Sequence, residues 1–272
     1  MKNLPFLALT CAFAIVSSAA RAADAPKPLK VLLITGGCCH DYKGQKDVLK
    51  AGLEARANVV VDQVHVDDTS TAPKLPIYGN PDYAKGYDLV IHDECSAGIT
   101  DLAVIAGVLK PHQDGIPAVN LHCAMHSYRF GDFNKPVPAG ADNAKWYEFL
   151  GMQSTRHGPQ QPIAITFTDK ASAITKGLED WTTINEELYN NVQIMPGNQA
   201  LAKGKQGNAE TVVAWTNLYN GKTRVFCTTI GHNTATVADA KYLDLITRGL
   251  LWATDHLSAD GTPAKGYGPG GK

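Results

Sequence analysis

Residues 29–35, Leu-Lys-Val-Leu-Leu-Ile-Thr, form a nearly unbroken apolar run that ends in Gly36-Gly37-Cys38-Cys39-His40-Asp41. A strand without polar alternation has to be covered on both faces, which is the position of a parallel strand flanked by helices. The following segments fit that frame. Residues 43–56 carry Val48, Leu49 and Leu53 at helical spacing, and 58–66 alternate valines as a second strand. Residues 67–86 hold Pro73, Pro76 and Pro81 and read as a loop. Apolar strands follow at 87–91, 116–119 and 163–168, with helical patterns at 99–109 (Thr100 as N-cap, Pro111 and Gly115 closing it), 144–150 and 237–256. Segments 210–219 and 223–229 flank Asn220-Gly221, the strongest short hairpin signal. The expected fold class is α/β: a doubly wound, mostly parallel, flavodoxin-like sheet with a C-terminal β-hairpin and a final helix. No linker divides 29–257, and the Gly-rich tail 258–272 is expected to be disordered.

The start of the chain is built differently. Lys2 precedes an apolar run over 4–16 and an Ala20-Arg21-Ala22 cleavage pattern, so 1–22 reads as a signal peptide and the mature protein as secreted or periplasmic. Cys11 after Thr10 is a weaker lipoprotein signal. No later segment reaches the ~20 apolar residues that span a bilayer. The chain is 44% hydrophobic and 19% charged with net charge -1, which offers no electrostatic case for nucleic acid or a membrane surface. Beyond the leader stand Cys38, Cys39, Cys95, Cys123 and Cys227, an odd number that leaves at least one thiol unpaired. Their pairing is open, except that adjacent Cys38 and Cys39 are not expected to bond to each other. The oligomeric state is equally open.

Four strand ends deliver titratable groups: His40 with Asp41, then His92-Asp93-Glu94, then His122-Cys123-Ala124-Met125-His126, and finally His232. Parallel strands bring their carboxyl ends to one edge, where ligands of open α/β sheets bind. Three chemistries could use such a set. Histidine can act as a general acid or base near neutral pH. Cys123, on a tight turn before a helix, could be a nucleophile with His232 as its base. His40, His122 and His126 with an acid such as Asp93 or Glu94 could hold zinc, although no close-spaced motif such as His-Glu-x-x-His is present.

At these residues the chain resembles the ThuA-like (trehalose utilisation) family, whose fold is that of class I glutamine amidotransferases. The resemblance rests on Thr35-Gly36-Gly37 with His40, Asp93, Leu121-His122-Cys123-Ala124 with His126-Ser127, Gly151 with His157, Glu187-Leu188-Tyr189, and Gly221-Lys222-Thr223-Arg224-Val225-Phe226 leading to Gly231-His232. It implies a ThuA-like domain over 29–257 and a small carbohydrate, a disaccharide or keto-glycoside, as ligand. His122 and His232 are then the expected acid/base groups. His40, Asp93, Glu94, His126, His157, Glu187 and Tyr189 are expected around the substrate, with Glu187 on substrate or bracing Arg224; Trp146 and Tyr189 could give the sugar an apolar face, although buried core aromatics are the commoner case. Amidotransferase chemistry is not expected: Asn233-Thr234 stands where those enzymes carry Pro-Glu, and relatives often have alanine at the position of Cys123. A zinc-dependent hydrolase and a non-catalytic sugar-binding protein are the alternatives.

Overall fold

The computed structural model describes Met1 and residues 26–271. The expected signal peptide, Met1 apart, and the Cys11 alternative lie outside the described residues. Along the chain the elements are β1 Leu29–Gly37, α1 Tyr42–Glu54, β2 Val59–Val66, β3 Leu89–Cys95, α2 Leu102–Asp114, β4 Ala118–Leu121, α3 Lys145–Leu150, β5 Met152–Gln153, β6 His157–Phe167, β7 Trp181–Tyr189, β8 Gln193–Ile194, β9 Gln199–Gln206, β10 Ala209–Tyr219, β11 Thr223–Thr228, α4 Thr234–Val237 and α5 Ala240–Ala253.

Nine strands make one sheet in the order β2-β1-β3-β4-β11-β10-β9-β6-β7. The five from β2 to β11 pair in parallel, and from β11 onward every pair is antiparallel. The fold is α/β with a parallel core, and the hairpin turns at Asn220-Gly221, both with positive φ (51° and 69°), as the twist of a two-residue turn requires. The antiparallel wing is larger than the sequence pattern implies. β6 begins six residues ahead of its apolar stretch, and β7 and β9 lack a strand pattern that would announce them. Both faces of the parallel half are buried, as the run in β1 demands: Val31 and Leu33 pack with Leu49, Leu53 and α5, while Leu32 and Ile34 pack with Ile105, Val108, Trp146 and Phe149 of α2 and α3. A buried leucine there is worth about 1.5–3 kcal/mol, so the side chains of β1 contribute to both helical layers.

Aspartates start α1, α2 and α5: Asp41, Asp101 and Asp239 accept from the N–H groups of Gly44, Ala103 and Lys241 at 3.0, 2.8 and 2.8 Å. Asp101 therefore takes the N-cap expected of Thr100, and Asp239 starts the final helix at Ala240, inside the expected 237–256 span, after a separate short turn α4. The tail also departs from expectation. Tyr267 packs on His256 with ring centres 3.8 Å apart, and Asn58 bonds the carbonyls of Gly266 and Tyr267. The glycines make turns while this one aromatic and the paired backbone anchor residues 258–271. Among the described residues no helix is long and apolar enough to cross a membrane.

Candidate active site

The carboxyl ends of β1, β4 and β11 lie along one edge of the sheet and deliver His40, His122 and His232. β4 does not run into an α-helix; it enters a short 3-10 turn, His122–His126, and His122 itself has φ +41°, a left-handed conformation rarely adopted by a residue with a side chain. The strained residue of this elbow is the histidine, not Cys123. Glu187 arrives from the antiparallel wing on β7. One donor atom from each of His40, His122, Glu187 and His232 lies within 4.8 Å of the others. His122 Nε2 is 2.9 Å from His40 Nε2, 3.3 Å from the Tyr189 hydroxyl and 3.5 Å from Glu187 Oε2. His232 Nδ1 is 3.3 Å from Glu187 Oε1, out of hydrogen-bonding alignment, so this buried nitrogen has no hydrogen-bond partner. A cavity of about 440 Å³ opens beside these groups, lined further by Arg129, Arg156, His157 and Gln160.

Supporting contacts orient the set. His122 Nδ1 lies 2.6 Å from the Thr229 carbonyl, which can only accept, so the hydrogen sits on Nδ1 and Nε2 turns its lone pair to the cluster. His40 Nδ1 is 3.1 Å from the Tyr42 hydroxyl. Burial, reinforced by the charges of His122 and His232, pushes His40 down to about 2, so its ring is neutral at physiological pH. Burial pushes the Glu187 carboxyl up, but the close approach of the His122 and His232 rings overcomes it and holds the group well below the usual carboxylate range. The same carboxylate raises His232 above an ordinary histidine. Glu187 thus supplies, from another strand, the acid against His232 that the Asn233-Thr234 sequence lacks.

Several expected residues lie elsewhere. His126 lines the cavity, stacked on Tyr189 at 4.0 Å with Nε2 on Ser154 Oγ, and is not part of the donor cluster. The metal set expected from sequence therefore loses His126 and gains His232 and Glu187. Glu94 belongs to a buried network under β3: its Oε1 accepts from the Tyr78 and Tyr128 hydroxyls at 2.6 and 3.0 Å and lies 3.1 Å from His92 Nδ1. Strand alternation sends Asp93 to the opposite face, beside Tyr42 and Tyr242 and behind the site. Trp146 is core, and Arg224 bonds the Trp252 carbonyl and Asp255, not Glu187.

Cys123 touches the cavity, but its thiol contact with Cys95 and its burial push it well above an ordinary thiol, the reverse of an activated nucleophile. Cys38 and Cys39 are disulfide-bonded, against expectation; Cys39 takes a left-handed backbone (φ +82°) that departs from the extended chain in which neighbouring side chains diverge. Gly37 allows the close approach of β3, since a Cβ there would collide with the Cys95 carbonyl oxygen. His157 and Tyr189 do line the cavity, His157 Nε2 standing 3.7 Å from Glu187.

Pattern reading overlooks Glu186. Its buried carboxylate accepts from the backbone N–H groups of Gly231, His232 and Asn233 at 3.3, 3.0 and 3.0 Å, fixing the turn that presents His232. Gln45 of α1 holds the same turn from the other side through the carbonyls of Gly231 and His232. The adjacent pair Glu186-Glu187 in a strand sends one carboxylate to each face, and recognising 181–189 as a strand would have exposed that division.

Known proteins share this architecture. Residues 30–253 match the family model of ThuA, described as trehalose utilisation. Among solved structures, a ThuA-like protein from Parabacteroides merdae is 22% identical (TM-score 0.58, covering 88% of this chain and 97% of that one). Another from Bacteroides uniformis is 15% identical (TM-score 0.61, 90% and 98%). A GMP synthase protein from Thermoplasma acidophilum shares the fold at 12% identity (TM-score 0.51, 85% and 96%). No curated protein matches the chain. With a match that spans nearly the whole domain, the chain belongs to the ThuA family, on the fold shared with glutamine amidotransferase-like proteins.

Proposed function

We propose that this protein is a metal-dependent enzyme acting on a small carbohydrate, hydrolysing or isomerising a disaccharide or keto-glycoside, with His40, His122, His232 and Glu187 as the ligands. The observation that carries the reading is the four-donor cluster beside the cavity, three of whose members line it. Donors about 2.1 Å from a tetrahedral zinc stand about 3.4 Å apart; His122 lies 2.9 Å from His40 and 3.5 Å from Glu187 Oε2, His232 lies 3.3 Å from Glu187 Oε1, and one donor from each residue falls within 4.8 Å of the rest. His122 also carries the outer-shell signature of a ligand, its far nitrogen donating to a backbone carbonyl. A three-nitrogen, one-oxygen set suits zinc, and a bound ion would polarise a substrate carbonyl or activate water. His126 and Tyr189 line the cavity and would stand beside a sugar ring, with the Tyr189 hydroxyl as a polar group there. The family description supports the carbohydrate, and the 1–22 leader supports export to the periplasm or medium. A metal-free acid/base site at the His232–Glu187 pair is the second reading, favoured by the raised His232.

Metal analysis of protein purified without a metal-binding tag tests the proposal. About one zinc or similar ion per chain is expected, lost in His122→Ala and His232→Ala and kept in His126→Ala, and turnover of disaccharides or their keto forms should stop with chelator. A metal-free wild type that still turns over such a sugar replaces this reading with the acid/base one.

A further inference from the structure

The same cavity is lined by Arg129 and by Arg156, whose side chain is exposed. Arg129 is half-buried; one Nη1 donates to the Thr155 carbonyl at 2.6 Å and the guanidinium lies over the Phe133 ring at 5.1 Å. That bond uses one of five donors. The Thr155 carbonyl joins directly to Arg156, so the two cationic side chains belong to one local structure. It is preorganised: the N–H groups of Thr155 and Arg156 both donate to Asn190 Oδ1, at 2.9 and 3.0 Å.

Among the described residues no carboxylate lies within ion-pair distance of either guanidinium, whereas Arg56 and Arg224 have Asp244 and Asp255. Glu187 is the one carboxylate of the cavity lining, and it is engaged by His122, His232, His157 and Gln160. A half-buried guanidinium lacking a counter-ion is costly to desolvate and is repaid by an anion that accepts its fork of donors. A protein of net charge -1 has no general surplus of positive charge that would account for the pair.

We propose that the substrate is an acidic carbohydrate, whose carboxylate or phosphate is held by Arg129 and Arg156 while the sugar ring lies along Tyr189 toward the histidine cluster. This deepens, and rests on, the reading of the cavity as a carbohydrate site. Thr155 and Asn190 position the anion site by fixing the backbone between the two arginines.

Titration calorimetry on the purified protein with D-glucuronate, D-glucose 6-phosphate and D-glucose tests it, the first two separating carboxylate from phosphate. At least one acidic sugar should bind about tenfold or more tighter than glucose, the loss expected when a charge-assisted bond is removed. In Arg129→Gln, and in the rim variant Arg156→Gln should the first not fold, that ratio should fall toward one. Raised NaCl should reduce it too. Equal affinity for all three sugars, or a preference that survives both substitutions, overturns the acidic-substrate inference alone. Binding of none of the three overturns it together with the carbohydrate reading.

Discussion

Glu186→Gln separates the support of the site from its chemistry, because Glu186 does not line the cavity and supplies no donor atom to the cluster. Its carboxylate accepts three backbone N–H groups, Oε2 from Gly231 and His232 and Oε1 from Asn233, in a fully buried position. Glutamine keeps the shape and one acceptor. If its oxygen takes the Oε2 place, two bonds persist without charge assistance, each weaker by about 1 kcal/mol, and the amide NH2 faces the Asn233 N–H, donor against donor. A buried donor left unpaired costs about 1–3 kcal/mol, so the substitution should destabilise the protein by about 3–5 kcal/mol. In a domain of this size that lowers Tm by roughly 10 °C. Because the 231–233 turn carries His232, zinc affinity should also fall about 10–100-fold, as for loss of other outer-shell supports. Denaturant unfolding with chelator present reads the first effect, and zinc titration against a competing chelator reads the second. A stability loss under about 1 kcal/mol with unchanged zinc affinity would refute the role given to Glu186.

Two buried acids on β3 should respond to pH in opposite senses. Burial pushes Glu94 up, but the charge and hydrogen bond of His92 and the hydroxyls of Tyr78 and Tyr128 hold it below its ordinary range. Its contribution is therefore complete above the unfolded pKa of about 4.3 and is lost as pH falls below it, so Glu94→Gln should be less stable at neutral pH and show a flatter acid limb in unfolding experiments. Wild-type and variant curves that stay parallel down to about pH 3 would contradict that assignment. Asp93 is pushed well above its ordinary range, first by burial and then by Glu94, and has one carboxylate oxygen with no partner. A raised acid loses stability as pH climbs past the unfolded value of about 3.9, so Asp93→Asn should be more stable than wild type at pH 7 and lose that advantage near pH 3. A variant less stable at both pH values would show that the carboxylate is held by interactions beyond those described.

Resemblance to the ThuA-like family is legible before any coordinates, and it carries the fold. Local signals place individual elements well: the run at 29–35, the Asn220-Gly221 turn and the helix of Leu49 and Leu53 each act within a few residues. They work because burial on both faces, turn conformation and helical periodicity are local demands. The antiparallel wing is harder, since β6 and β7 face solvent on one side and carry glutamines, threonines and glutamates where an apolar alternation would otherwise show.

The sequence by itself placed polar groups at the ends of parallel strands and so brought His40, His122 and His232 to one edge; it put His92, Asp93 and Glu94 there too, and these lie within β3. Only the tertiary structure decided which neighbours join them. His126 and His122 are four residues apart, yet the tight turn after β4 sends one to Tyr189 and Ser154 and the other into the donor cluster. Glu94 and Asp93 point to opposite faces of a sheet and away from the cavity, while Glu187, far along the chain from His122, completes the set. The physical reason is that strand pleat and side-of-sheet fix a side chain's direction residue by residue, whereas the approach of β7 depends on pairing across β6, β9 and β10, a contact no local pattern encodes.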